Sequence, residues 1–279
     1  MKHLNEYIIE KLKINSNTLT KTYKYSPKTR RELKHLVRER LSKDKNGNLN
    51  DIDVSQITDM SELFYDLDLY NLDISEWDVS NVKDMTMMFM NCKNLYLDIS
   101  DWDVSNVEYM NGMFYKCESF KCDLSKWDVS KVKNARCMFN ECRNFNSDLS
   151  KWDMSSCEDT SLMFHGCENF NSDLSKWNVS NVKDMEDMFA RCFNFNSDLS
   201  DWDVSNCVDM VGMFSHCHKF NSDLSKWNVS KVEDINSMFY CCHNFNSDLS
   251  NWDVSNVKSM NSTFIECKSL KKIPDWYKE

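Results

Sequence analysis

Residues 169–193 read NFNSDLSKWNVSNVKDMEDMFARCF, and this 25-residue pattern recurs along most of the chain. Outward from Trp177, Trp returns every 25 residues from Trp77 to Trp252, Phe from Phe64 to Phe264, and Cys from Cys92 to Cys267. Eight full copies fill residues 71–270, and a partial copy begins at Asp51. A unit this short cannot bury its own apolar face, so the copies must stack on one another as a solenoid.

Each copy divides into two local patterns. Val82, Met85, Met88, Phe89 and Cys92 follow a spacing of three and four, which predicts a short helix. Ser80-Asn81 followed by Asp84 reads as its N-terminal cap. Ahead of it, Ile74, Trp77 and Val79 alternate with polar residues, which predicts short extended segments around 72–75 and 77–80. The expected fold class is therefore an α/β repeat solenoid, leucine-rich-repeat-like, with short parallel strands and one short helix per coil. Three regions follow: a helical leader and N-terminal cap over 1–50, about nine coils over 51–270, and a C-terminal cap over 271–279. Within the leader, Ser26-Pro27 opens a helical pattern with Leu33, Leu36, Val37 and Leu41 on one face, ending near Lys43. In the tail, Pro274 interrupts the period and Trp276 stands one residue out of register.

Composition excludes several classes. A chain of 279 residues with 41% hydrophobic and 13% aromatic content supports a packed core rather than general disorder. Four Gly and two Pro exclude collagen, Gly-rich linkers and Gly-dependent calcium β-rolls. No apolar run approaches the ~18 residues of a membrane span. The opening MKHLNEYIIEKLKIN has charges inside its apolar stretch and lacks the core of a secretory signal. The thirteen Cys are accordingly expected to be reduced thiols, and the expected location is cytoplasmic or virion-associated, without surface display.

The recurring D-[LI]-S-x-W-[DN]-V-S-N-V-x-x-M-x-x-M-F-x-x-C-x-x-F-N resembles the repeat of the BspA-like leucine-rich-repeat surface proteins, also called the mycoplasma-lipoprotein-type repeat. The likeness covers roughly 51–270, and the leader LNDIDVSQITDMSELF is similar to segments that introduce such arrays. It implies a leucine-rich-repeat-like solenoid without catalytic residues, usually assigned to adhesion or protein binding. Related arrays occur in phage and large-virus proteins. The chain is expected to depart from the surface-protein pattern, since no signal peptide, lipid-attachment cysteine or anchor is read in these residues.

Candidate chemistry is sparse. No Ser/His/Asp grouping, phosphate loop or HExxH helix is present, and a catalytic site would be unique rather than repeated in every coil, so no enzyme activity and no cofactor are expected. The Cys column fits small buried core sites better than disulfides or zinc, because a spacing of 25 is unlike a zinc motif. His216, His218, Cys241 and His243 share neighbouring columns and form a weak metal candidate beside the reading of chance surface residues. Asp73 to Asp248 recur without exception, and Asp78 to Asp253 recur with Asn at 178 and 228. Turn capping explains both columns, with calcium as the sharper alternative. The Trp column reads as packing, with an aromatic platform for sugars as the alternative.

One column varies in charge and reads as exposed: Glu76, Asp101, Lys126, Lys151, Lys176, Asp201, Lys226 and Asn251. In a solenoid such positions carry specificity, so the leading function is a non-enzymatic scaffold for protein–protein interaction or adhesion. The alternatives are a structural component of a phage or virus assembly docked through the leader, and a carbohydrate-binding module. Residues 1–50 hold 13 Lys/Arg against 5 Asp/Glu, a net +8, whereas the remainder carries −18. The helix bearing Arg30, Arg31, Lys34, Arg38 and Arg40 lacks aromatic interleaving, so nucleic acid is disfavoured as a partner.

Overall fold

The structure is a computed structural model and describes residues 22–44 and 47–278. Phe89 lies on Phe114 with ring planes 4° apart and centroids 5.6 Å apart. The same contact continues down the whole Phe column, at 5.2 Å from Phe64 to Phe89 and 5.8 Å from Phe239 to Phe264. Phe120 to Phe245 form a second ladder beside it, and within one coil the two ladders touch at 4.1 Å, as in Phe139 on Phe145. Each large apolar column is thus buried by its own copies above and below, the physical meaning of the 25-residue period.

The backbone bonds in the same direction. The N–H groups of Met85, Met87, Phe89 and Asn91 donate to the carbonyls of Tyr109, Asn111, Met113 and Tyr115 in the next coil, at 2.7–2.9 Å. The alternate N–H groups of Met88, Met90 and Cys92 close tight turns onto Met85, Met87 and Phe89. Every second donor therefore serves the neighbouring coil, and the donors between them serve their own turn.

This arrangement corrects the expected fold class. No helix and no strand forms in the coils among the described residues; pairing is confined to isolated parallel bridges such as Asp84↔Tyr109 and Tyr109↔Asn134. The helix expected over Val82–Cys92 fails because Met87 (φ 53°) and Asn91 (φ 65°) are left-handed, and both positions recur in every coil. An α-helix excludes φ > 0. The spacing of three and four that reads as a helical stripe arises here from a chain of three-residue turns. The expected strands fail likewise: Trp77 N–H bonds Ile74 O at 3.1 Å and Val82 N–H bonds Val79 O at 2.9 Å, so both segments are turns. Asp84 caps no helix; its carboxylate accepts from Thr86 N–H at 2.8 Å.

The one α-helix among the described residues is α1, Arg30–Lys43. Its start differs from the reading that placed Pro27 in the first turn: Thr29 is the N-cap, its hydroxyl accepting from Glu32 N–H at 3.2 Å. Leu33, Val37 and Leu41 are buried, and Leu36 is partly buried. The part of the expected helical leader before Thr22 lies outside the described residues. Arg30 Nε donates to Ser61 O at 2.6 Å, at the N-terminal end of the stack, where no earlier coil supplies donors. Bridges Tyr25↔Ile52 and Asn48↔Asp73 tie the leader to the first coils. At the other end Trp276 stacks on Trp252 at 6.2 Å, so the out-of-register tryptophan still extends its column.

One outer column alternates in sign: Lys83, Glu108, Lys133, Glu158, Lys183, then Val208, Glu233 and Lys258. Ion pairs join Lys133 to Glu108, Lys183 to Glu158 and Lys258 to Glu233 at 2.5–2.6 Å. Each is solvent-accessible and contributes little alone, but the alternation avoids like charges one coil apart.

Candidate functional site

The ridge residues Glu76, Asp101, Lys126, Lys151, Lys176, Asp201, Lys226 and Asn251 are all exposed, one per coil. Each precedes a Trp that is at most 5% exposed, so the turn that buries the ring pushes its neighbour outward. The indole N–H is spent inside: Trp177 Nε1 donates to Leu149 O at 2.9 Å, and the same bond recurs from Trp77 to Trp252. Lys126 Nζ pairs with Asp101 at 2.6 Å, linking two ridge residues.

Both Asp columns flank the ridge, and their carboxylates are committed to turns. Asp173 Oδ1 accepts from Ser175 N–H at 2.9 Å, and Asp203 accepts from Ser205 N–H at 3.0 Å. Asn178 and Asn228 make the same bond to Ser180 and Ser230 at 3.1 Å, so the column needs an oxygen acceptor rather than a charge. The Ser donors, through hydroxyl and backbone N–H, hold Asp98 and Asp248 below the usual carboxylate range. Asp123 and Asp223 are held low the same way.

A further column escaped the sequence reading. Ser222 is 7% exposed; its hydroxyl accepts from Leu199 N–H at 2.8 Å and donates to Asp198 at 3.1 Å, stapling one coil to the last. Ser147, Ser172, Ser197 and Ser247 receive the equivalent N–H at 2.8–2.9 Å. Beside them Asn171, Asn196 and Asn221 form a ladder, each side-chain oxygen accepting the backbone N–H of the next Asn. The signal was present, since Asn-Ser recurs before Asp in the later coils. Shallow polar hollows open between coils on this face. One of about 330 Å³ runs from Asn196 and Asp198 to Asp223 and Lys226, and one of about 300 Å³ from Asp98 to Lys126.

The thirteen Cys are all free. In the column each thiol donates to a carbonyl 28 residues earlier, as Cys167 does to Phe139 O at 3.0 Å. Burial pushes Cys92 up to about 12 and raises the deeper column thiols well above their ordinary value. Cys157 and Cys207 replace Val in their column and are equally buried.

The structure gathers His216, His218 and His243 but not as a ligand set. His218 and His243 stack at 4.7 Å with planes 12° apart, and Phe193 covers His218 at 5.1 Å. Lone pairs of stacked imidazoles lie in parallel planes and do not converge. Among the described residues no three His, Cys, Asp or Glu side chains are placed to hold a metal ion. Burial and the neighbouring imidazoles lower the affinity of His218 for a proton, and burial with Arg191 does the same at His216. No helix among the described residues is long and apolar enough to cross a membrane.

The family model described as "Mycoplasma protein of unknown function, DUF285" matches residues 32–152, 121–210 and 163–277. The chain belongs to this family. The three overlapping matches together cover residues 32–277, from within α1 to the C-terminal tail. No curated protein and no solved structure matches the chain.

Proposed function

We propose that this member of the Mycoplasma-type repeat family is a non-enzymatic scaffold that binds another protein along the ridge from Glu76 to Asn251. The observation that carries the reading is the ridge itself: it is exposed in every coil and varies in charge, while the columns beside it are fixed by turns and buried rings. The likeness of the repeat to BspA-like surface proteins supports a binding or adhesive role. Thirteen free thiols support a cytoplasmic or virion-associated location rather than an oxidising one. Exposed Arg31, His35 and Arg38 on α1 favour a second reading, an assembly component docked through its leader. The carbohydrate-binding alternative needs exposed indole rings, and Trp77 to Trp252 do not offer them.

The test is pulldown of the partner with wild type and with Lys126→Glu, Lys151→Glu and Lys176→Glu combined. Loss of the partner at an unchanged melting temperature supports the ridge; undiminished capture moves the site elsewhere. Arg31→Glu and Arg38→Glu combined separate the second reading, which predicts loss of assembly at an unchanged melting temperature.

A further inference from the structure

The two ends of the stack are finished differently. At the N-terminal end, Ile57, Met60, Leu63 and Phe64 are at most 2% exposed although no coil precedes them, because the apolar face of α1 is buried there. At the C-terminal end the equivalent Val257 and Met260, with Val254, Cys267 and Leu270, are only partly buried, and Ile265 is 39% exposed. Trp276 and Tyr277 pack on Phe264, which with Thr263 is buried, while Val254, Val257, Met260 and Leu270 stay partly exposed.

Polarity follows from the bonding pattern. Ile235, Ser237, Phe239 and Cys241 donate their N–H groups to the carbonyls of Ser259, Asn261, Thr263 and Ile265. The corresponding N–H groups of Met260, Ser262, Phe264 and Glu266 have no acceptor among the described residues. The open edge is therefore a row of donors at alternate residues beside an apolar strip, and it asks for carbonyls at alternate residues. A second copy does not meet it. Its own C-terminal end offers donors to donors, and its carbonyl end lies under α1, with Ser61 O already taken by Arg30. Residues 251–278 carry five Lys against three Asp/Glu, whereas residues 51–250 carry 16 basic against 35 acidic residues.

We propose that this edge docks an extended, acidic–apolar polypeptide segment of a partner protein, which adds as one further coil. Backbone carbonyls supply affinity as in strand addition, and the apolar strip and lysines select the side chains. The site is distinct from the ridge, and either can fail without the other.

The probe is a synthetic peptide of residues 182–196. Inside the chain its carbonyls at Asp184, Glu186, Met188 and Ala190 meet such a row from Thr160, Leu162, Phe164 and Gly166. Amide hydrogen exchange is read with and without peptide on the full chain. At saturation, exchange at Met260, Ser262, Phe264 and Glu266 should slow at least tenfold, with residues 210–241 unchanged and a scrambled peptide inert. Val257→Glu should weaken the peptide at least tenfold while the inner coils keep their protection. No slowing at millimolar peptide overturns the proposal. So does protection already present without peptide, whether fixed, from another part of the chain, or rising with protein concentration, from a second copy.

Discussion

Replacing Ser222 by Ala removes an oxygen that holds two coils together. The residue is 7% exposed, and its hydroxyl accepts from Leu199 N–H at 2.8 Å while donating to Asp198 at 3.1 Å. Leu199 is fully buried, so water cannot replace the lost acceptor. An unsatisfied buried donor costs about 1–3 kcal/mol, and the bond to the exposed Asp198 adds little. Cys122 occupies the same column, and its sulfur receives Ile99 N–H at 3.5 Å, a weak acceptor at long range. Cys122→Ser should therefore stabilise by about 0.5–1 kcal/mol, the net worth of a hydrogen bond. The same position thus carries opposite signs in two coils. Urea unfolding reads the midpoints, and exchange of the Leu199 amide guards against partial unravelling of the array. If both variants fall within about 0.5 kcal/mol of wild type, the range of an inert surface change, and the Leu199 amide stays protected, the staple is not what joins the coils.

Three more outcomes are expected. Gly212 has φ +59°, and a Cβ there would collide with the Asp187 carboxylate, so Gly212→Ala should cost at least the ~1 kcal/mol of a left-handed residue. Adding Asp187→Ala should recover part of that in denaturant melts. His218 binds its proton less readily folded than unfolded, so stability is full above pH ~6.5 and falls as the pH drops through its lower folded value. The Asp198 column adds a second loss below pH ~3.9, since its folded values lie under the unfolded ones; His218→Phe should shrink only the first step of a pH-stability profile, the rest of which belongs to His216. Reductant should leave the denaturation midpoint unchanged, because every Cys is already a free thiol. In thiol labelling the partly exposed Cys122, Cys137, Cys241 and Cys267 should react before the buried thiols of the column; a reductant-induced fall in midpoint contradicts both expectations.

The period and the identity of the core columns were legible because Trp, Phe and Cys return at one interval, and that interval is the coil. The local backbone was not. Apolar residues spaced three and four apart look alike in a helical turn and in a run of tight turns, and only φ separates them. The usual warning, glycine at left-handed positions, is absent: Met87, Leu162, Asp187 and Arg191 take those sites, while Gly112, Gly166 and Gly212 are the exceptions. Likewise Ser80-Asn81 followed by Asp84 resembles a helix cap with an acid in the first turn, but the Asp84 carboxylate serves a tight turn. The exposed ridge was legible from its variability beside Trp, whereas the Ser222 staple was hidden because serine before Asp also reads as an ordinary loop.

The alternating column from Lys83 to Lys183 bears on how such a chain can change length. Coils are close to interchangeable, so losing one leaves the stacked rings and the backbone ladder able to close again. Charge does not permit every excision equally. Removing the coil that carries Glu158 would set Lys133 against Lys183, two like charges one coil apart. Removing the Lys133 and Glu158 coils together would set Glu108 against Lys183 and restore the pairing. In this part of the stack, length is cheapest to alter two repeats at a time, and a parity rule for array size is written in surface charge.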